Sequence, residues 1–400
     1  MIDDARMVEV NRVAGGTMDL NELHDVGRTS SVELVDGERS NRSYRIVVIP
    51  GDGIGPEIVS SAMDVLSCLQ NLRNDFSLKV ETREAGAAYY SKAGEPMSKE
   101  TLEVCRRADA ILKGPVGDPS VRTPEGTEGG LLGGVMRRGL DVYANVRPIR
   151  LLPGTKSPLK LKPGEIDYVI VRENTEGLYA SRNIGVTTPW AVSDTMLMTK
   201  PGIERVCRFA YELTRNRHGA PRDGVHRVTC VDKSNVLRGY AFFREIFTEI
   251  GKEYPDIEKD YLYADAAAQA LVMDPSRFDV LVMENLLGDI LSDLGGGTVG
   301  GIGLCPSGNY GERIAYFEPI HGSAPSLAGK GLANPISQIL SAAMMLEKLG
   351  EQEYSHVIER AVWRALESGE LLIDTNGCPI GGTVAATRSI VKQISECSVS

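Results

Sequence analysis

Met283-Glu-Asn-Leu-Leu-Gly-Asp-Ile-Leu-Ser-Asp-Leu-Gly-Gly-Gly297 begins at the end of the apolar run Val280–Met283 and closes on three glycines. The pattern predicts a buried strand running into the opening of a helix. Asp289 and Asp293 stand four residues apart within it. That spacing sets both carboxylates on one helix face, one turn apart, where like charges repel. A solvated helix face is the ordinary meaning of such a pair. Between an apolar strand and a glycine run solvation is less expected, and a metal site becomes the stronger reading. Hard divalent ions such as Mg²⁺ and Mn²⁺ prefer oxygen donors of this kind.

Strand-to-helix units recur outward from this stretch. Tyr44-Arg-Ile-Val-Val-Ile-Pro50 has a buried-strand pattern; Gly51-Asp-Gly-Ile-Gly-Pro56 follows, then a predicted helix over Glu57–Leu69 with Pro56 at its first position. Short β-branched runs then alternate with helical periods at Ala110–Lys113, Tyr168–Arg172, Arg227–Asp232, Tyr261–Ala264 and Phe278–Met283. Long apolar helices are expected over Pro335–Leu349 and Ser355–Ser368, and no internal repeat is present. This alternation predicts an α/β protein with at least one largely parallel sheet. The glycine turn after the first strand reads G-x-G-x-G-P rather than G-x-G-x-x-G, and no acidic residue closes a second strand about 20 positions on. A tight strand-to-helix turn is the simpler reading, with any cofactor contact secondary.

The 400 residues, 42% of them hydrophobic, suffice for two domains with cores. A net charge of −10 without a long basic run argues against nucleic acid as a partner. No apolar stretch approaches the roughly 18–20 residues of a bilayer span. Seven cysteines lie scattered at positions 68, 105, 207, 230, 305, 378 and 397, with no CxxC spacing. They suit small apolar fillers in a reducing, cytoplasmic setting rather than a disulfide or zinc framework. Residues 1–43 are polar and acidic. They fit neither a secretory signal nor an acid-poor transit peptide, and a partly disordered extension is expected there.

Arg137 and Arg147 flank Asp141-Val-Tyr-Ala-Asn145, and Arg172 ends an apolar strand. One arginine at a strand end is often a surface ion-pair partner. Three in this context suggest a cluster that holds a polycarboxylate through bidentate hydrogen bonds. Tyr179 lies seven residues beyond Arg172, and Lys233 follows another buried strand. A tyrosine–lysine pair can move protons where neighbouring cations or burial lower the lysine pKa, although a lone tyrosine is usually packing.

Six ordered motifs now resemble the metal-dependent β-decarboxylating dehydrogenases, the isocitrate and isopropylmalate dehydrogenase family. They are Val47–Glu57, Leu140–Pro148, Val171–Tyr179, Asp232–Val236, Asn285–Asp293, and His321–Pro325 continuing through Ala333-Asn-Pro335. The resemblance spans residue 44 to about 395. It implies a two-domain fold with one sheet crossing both domains. Residues 44–142 and 300–400 would form the larger, cofactor-binding domain, residues 143–299 the dimerisation and substrate domain, and Ser181–Thr199 an arm clasping the partner. It implies that Arg137, Arg147 and Arg172 bind the malate-like end of the substrate. Asp289 and Asp293 of one subunit, with Asp265 of the other, would hold Mg²⁺ or Mn²⁺. Lys233 of the partner subunit would take the C2 hydroxyl proton and Tyr179 would protonate C3 after CO₂ leaves. Because both subunits complete each site, a homodimer is the minimum active unit, with a tetramer left open. His321, Gly322, Ser323, Ala324, Pro325, Ser326, Leu327 and Asn334 would face the dinucleotide. NAD-type members carry Asp-Ile after the proline and NADP-type members Lys-Tyr. Ser326-Leu327 is neither, and without a basic residue there the chain leans to NAD over NADP.

The same resemblance bears on the substrate. Isopropylmalate enzymes surround the isopropyl group with Glu-x-x-Leu-Leu, reproduced by Glu128, Leu131 and Leu132, and Val236 is an apolar neighbour of that group. The serine and asparagine that isocitrate enzymes place here are absent. Two extra residues at or near Gly133-Gly134 separate Leu132 from Arg137. Two residues turn a helix by about 200°, so the leucines need not face the pocket, and the glycines can open room for a larger group. Oxidative decarboxylation of 3-isopropylmalate to 2-oxo-4-methylpentanoate is the leading expectation. Isocitrate, homoisocitrate or a phosphonate analogue stands behind it, then tartrate or D-malate. A catalytically silent regulatory homologue is disfavoured, because Tyr179, Lys233, Asp265, Asp289 and Asp293 are all present.

Overall fold

The structure, a computed structural model, describes residues 42–182 and 184–397. The expected extension lies outside the described residues up to position 41. Its last two residues already belong to the first strand, which starts at Arg42 rather than Tyr44.

The strands are β1 (Arg42–Ile49), β2 (Phe76–Thr82), β3 (Ala110–Lys113), β4 (Ala144–Arg150), β5 (Asp167–Glu173), β6 (Val186–Thr187), β7 (Val192–Ser193), β8 (Arg227–Asp232), β9 (Glu258–Tyr263), β10 (Val280–Met283), β11 (Pro306–Tyr310) and β12 (Ala315–Pro319). The helices are α1 (Gly55–Arg73), α2 (Ala87–Ala93), α3 (Lys99–Arg107), α4 (Gly133–Gly139), α5 (Lys200–Arg215), α6 (Arg238–Gly251), α7 (Ala264–Met273), α8 (Asn285–Thr298), α9 (Ile336–Lys348), α10 (Gln352–Glu367) and α11 (Gly382–Cys397). Ala264, expected to close a strand, instead opens α7, because the run Ala264-Asp-Ala-Ala-Ala is built of small, good helix formers and an acid in the first turn.

Ten strands form one sheet in the order β2-β1-β3-β12-β11-β4-β5-β10-β8-β9. Pairing is parallel in both wings and antiparallel through β12-β11-β4-β5, so the largely parallel expectation holds away from the centre. Successive side chains of a strand point to opposite faces, and the core follows that rule. Ile46 and Val48 of β1, like Val169 and Val171 of β5, join one continuous apolar core behind the sheet with α1, α5, α6, α9 and α10. Val47 and Ile49 face forward into a core with Leu132, Met136 and Tyr316. Tyr168 and Ile170 face forward into a different core with Leu271 and Leu291. Among the described residues, one core lies behind the sheet, two separate cores lie in front, and Ile54, Ile58 and Ala333 form a small further cluster. The interval between the front cores is the cleft that holds the site.

Candidate active site

β5 and β10 pair with Arg172 opposite Met283, so α8, which starts two residues later, passes directly over the Arg172 side chain. Gly288 makes this crossing possible: a Cβ there would lie 2.6 Å from both Cβ and Cγ of Arg172. Beyond the crossing, Arg172 Nε and Nη2 donate to Asn285 Oδ1 at 3.0 and 2.7 Å, and Nη1 donates to Asp289. Arg172 is only 1% exposed; a guanidinium so buried would cost several kcal/mol without these partners.

β4 lies antiparallel beside β5, with Asn145 opposite Arg172. The alternation of β4 puts Asn145 and Arg147 on the same forward face. Arg147 Nε donates to Asn145 Oδ1 at 2.7 Å and Nη1 to Ser292 Oγ at 2.6 Å. The same Nη1 lies 3.3 Å from Asp289 and 3.7 Å from Asp293. Arg137 comes from the other front core, on α4, with its Nε buried and without a hydrogen-bond partner. Tyr179 Oη donates to Asp289 Oδ2 at 2.9 Å, and its ring lies beneath the Arg172 guanidinium.

The turn carrying Tyr179 is fixed by Glu284. Gly177, at φ +77°, leaves room for that carboxylate, whose Oε1 would lie 2.0 Å from a Cβ there. Glu284 accepts from Leu178 N at 3.2 Å, from Tyr240 Oη at 3.0 Å, and from Leu287 N at 3.3 Å, the last capping α8.

The electrostatics show a surplus of positive charge. Burial, with Arg137 and Arg147 nearby, lowers the Arg172 pKa to about 9 against the opposing pull of Asp289. Burial pushes the Asp289 carboxyl upward, but Arg172, Arg147, the Tyr179 hydroxyl and Arg137 outweigh it and hold it below its ordinary value. Asp293 moves the other way, raised by burial and by Asp289 despite Arg147. Burial and Asp289 raise the Tyr179 phenol, keeping it protonated. A polycarboxylate entering this pocket would relieve the arginine–arginine repulsion.

The cleft encloses about 780 Å³ and is lined by Arg137, Arg172, Tyr179, Asp289, Glu128 and Leu131 among others. Glu128 and Leu131 converge on Gly117, whose Cβ would lie 2.5 Å from the Glu128 carboxylate and 2.9 Å from a Leu131 methyl. Leu132 also touches the cleft, but at 1% exposure its side chain belongs to the front core. Sequence reading missed Lys113 and Glu318, a buried ion pair on the cleft wall, together with the brace Asn285 and the glycine Gly288.

Lys233, Asp265 and Val236 do not line this cleft. Lys233 follows β8 and Asp265 lies in the first turn of α7, with Nζ 2.6 Å from Oδ1, and the lysine holds the Asp265 carboxyl below its usual range. Val236 is 67% exposed. Asp289 and Asp293 are likewise only a pair, and among the described residues no group of three His, Cys, Asp or Glu converges as a metal site.

Around the loop expected to face the dinucleotide, Gly53 at φ +58° packs against Ser323, and Ile54 N donates to the Ser323 carbonyl at 2.8 Å. Asp52 accepts from Ala87 N, Ala88 N and Gly117 N. The glycine turn therefore ties backbone segments together, as its simpler reading expected. Burial lowers the His321 pKa, and its Nδ1 lies 2.9 Å from the Gly322 carbonyl. Ser323 and Asn334 already serve the fold, through Gly117 O and through Gly377 O and Ile336 N respectively. Gly322, Pro325 and Ser326 are exposed, with Ala324 and Leu327 half-buried.

The isocitrate/isopropylmalate dehydrogenase family model matches residues 45–394. The chain belongs to this family. It is 42% identical over 349 residues to the 3-isopropylmalate dehydrogenase of Corynebacterium efficiens, covering 86% of this chain and 98% of that one. Identity to the 3-isopropylmalate dehydrogenase of Archaeoglobus fulgidus is 41% over 334 residues, covering 83% and 94%. The crystal structure of isocitrate dehydrogenase from Methylococcus capsulatus superposes with a TM-score of 0.78 at 39% identity, over 88% of this chain and 99% of that one. A β-decarboxylating dehydrogenase from Thermococcus kodakarensis gives 0.71 at 38% identity, over 88% and 96%. The chain is accordingly an oxidoreductase of the β-decarboxylating dehydrogenase type.

Proposed function

We propose that this protein catalyses the NAD-dependent, divalent-metal-dependent oxidative decarboxylation of a 3-substituted malate, with 3-isopropylmalate as its substrate. The observation that carries the reading is the convergence of Arg137, Arg172, Tyr179 and Asp289 on one cleft, with Arg147 against Asp289 behind its lining. The names of the relatives favour isopropylmalate, and Glu128 with Leu131 on the wall suits its branched group. The solved relative named an isocitrate dehydrogenase keeps that substrate as the second reading.

The three arginines bind and orient the substrate carboxylates, Arg172 braced by Asn285 and Arg147 by Asn145. Asp289 and Asp293 supply oxygen donors on successive turns of α8, and Asp265 of the partner subunit supplies the third that the described residues lack in one place. When bound, the divalent ion supplies charge stabilisation for a developing enolate, and the nicotinamide supplies the hydride acceptor. Lys233 of the partner subunit accepts the C2 hydroxyl proton. Tyr179, kept protonated by burial and Asp289, donates its proton at C3.

The homodimer is supported by the β6–β7 hairpin, where Ile184, Val186, Trp190 and Val192 are between 68% and 95% exposed, an apolar set that a second copy would cover. The strand order supports the two-domain reading, because β2, β1, β3, β12 and β11 occupy one wing and β4, β5, β10, β8 and β9 the other. Among the described residues no helix is long and apolar enough to cross a membrane, in keeping with a cytoplasmic enzyme.

The test is NADH and NADPH formation by purified protein with Mn²⁺ against 3-isopropylmalate, isocitrate, homoisocitrate, D-malate, tartrate and a phosphonomethyl analogue. Preferential NAD-linked turnover of 3-isopropylmalate is expected; turnover of only another acid refutes the substrate assignment.

A further inference from the structure

Gly133 and Gly134 open α4 on the wall of the substrate cleft. They are its first two residues, and the usual reasons for glycine are a backbone that needs positive φ or a close approach that leaves no room for a side chain. Neither is present. Both lack the positive φ that favours glycine. A Cβ at Gly134 would meet nothing within 4 Å, and one at Gly133 would make ordinary contact at 3.7 Å with the Arg137 guanidinium. Gly117 and Gly130, nearby in sequence, differ: both have positive φ and neighbours that a Cβ would strike.

The adjoining residues sharpen the point. Leu132 has turned its side chain into the front core beside Met136, leaving Leu131 as the half-buried leucine of the pair. Where the chain next reaches the cleft, it presents two residues without side chains. The same cleft has an aliphatic and acidic lining in Leu131, Val116 and Glu128. The cleft lining thus carries no side chain at two adjacent positions, while the arginines that would hold the malate end are present.

We propose that Gly133 and Gly134 determine specificity by leaving room for a 3-substituent bulkier than isopropyl, up to an aryl ring, so that the enzyme accepts such malates alongside 3-isopropylmalate. This rests on the reading of function given above. Gly134 is the position to test, because it lines the cleft and a Cβ there would meet no other atom within 4 Å.

The experiment compares kcat/KM for 3-benzylmalate and 3-isopropylmalate, with Mn²⁺ and NAD⁺, in the natural enzyme and in Gly134→Leu. The natural enzyme is expected to use 3-benzylmalate within about tenfold of 3-isopropylmalate, and Gly134→Leu to lower that ratio by roughly 10–200-fold, the range for a hydrocarbon increment in a filled pocket. Gly134→Ala guards against misfolding: with nothing within 4 Å of its added Cβ, its melting temperature should not fall, while the ratio falls less than with leucine. A natural enzyme that uses 3-isopropylmalate but discriminates more strongly than about tenfold against the benzyl compound overturns the inference and spares the function. An unchanged ratio in folded Gly134→Leu also overturns it. No turnover of either malate overturns the function and the inference together.

Discussion

Gly288→Ala tests whether the crossing of Arg172 beneath α8 is what builds the site. The new methyl carbon would lie 2.6 Å from two carbons of the Arg172 stem, against an optimum of about 3.5–4.0 Å. Something must therefore move by about 1 Å, and the surroundings favour the arginine, because Gly288 lies in the second turn of a helix fixed at its head by Glu284. Overpacking of this kind costs about 1–3 kcal/mol, partly offset by the roughly 0.5–1 kcal/mol that alanine gains in a helix. Net destabilisation should be up to about 2 kcal/mol, a fall in Tm of roughly 2–4 °C per kcal/mol. The kinetic effect should be larger. A catalytic group misplaced by about 1 Å loses on the order of 10²-fold in rate. Calorimetry and kcat/KM on the same preparation measure both. Gly297→Ala is the internal control, in the same helix, exposed and with nothing within 4 Å of its added Cβ. It should raise Tm and carry none of the kinetic loss. If Gly288→Ala behaves like Gly297→Ala, the crossing does not position Arg172 and the account of this site is wrong.

Three further outcomes are expected. Glu284→Ala removes the cap of α8 and the acceptor of Leu178 N and Tyr240 Oη; stability should fall by about 1–3 kcal/mol, and kcat should fall with it as the Tyr179 turn loosens, checked by denaturation and steady-state rates. Tyr44, whose pKa burial and the hydrogen bond to Glu351 raise from 10.0 to about 12, contributes stability that is fully present below pH 10 and lost as pH rises through about 12. Tyr44→Phe should be less stable than the natural chain at pH 8 and show a smaller drop between pH 10 and 12; an unaltered alkaline limb refutes the assignment. Tyr179→Phe and Lys233→Ala homodimers should each lose about 10²–10⁴-fold in kcat, with metal-supported substrate binding retained by Lys233→Ala. Subunit exchange between the two should restore activity, since a mixed dimer holds one site with both natural groups; no recovery in verified mixed dimers refutes a site shared between subunits.

Much of the site was legible because its signals are local. Asp289 and Asp293 declare themselves by helical spacing, and Arg147 and Arg172 stand where apolar strand patterns admit a charge. The predicted strands at Ala110–Lys113 and Arg227–Asp232 appear with those bounds. What could not be read depends on contacts distant in sequence. Gly288 looks like a flexible residue in a helix until Arg172 is seen beneath it, and Asn285 Oδ1 receives Arg172 from 113 positions away. Lys113 and Glu318 sit on strands separated by some two hundred residues and meet only through the pairing of β3 with β12. The inward turn of Leu132 was foreseen only as a consequence of the two extra residues; its destination among Met136 and Tyr316 depends on how α4 packs.

The most direct measurement of the central claim is the stoichiometry of NADH and CO₂ released from 3-isopropylmalate by the purified protein with Mn²⁺, before and after chelation of the metal. Equal release of both, abolished by chelator and restored by Mn²⁺, is the predicted result. NADH without CO₂, or turnover indifferent to the chelator, would contradict the account.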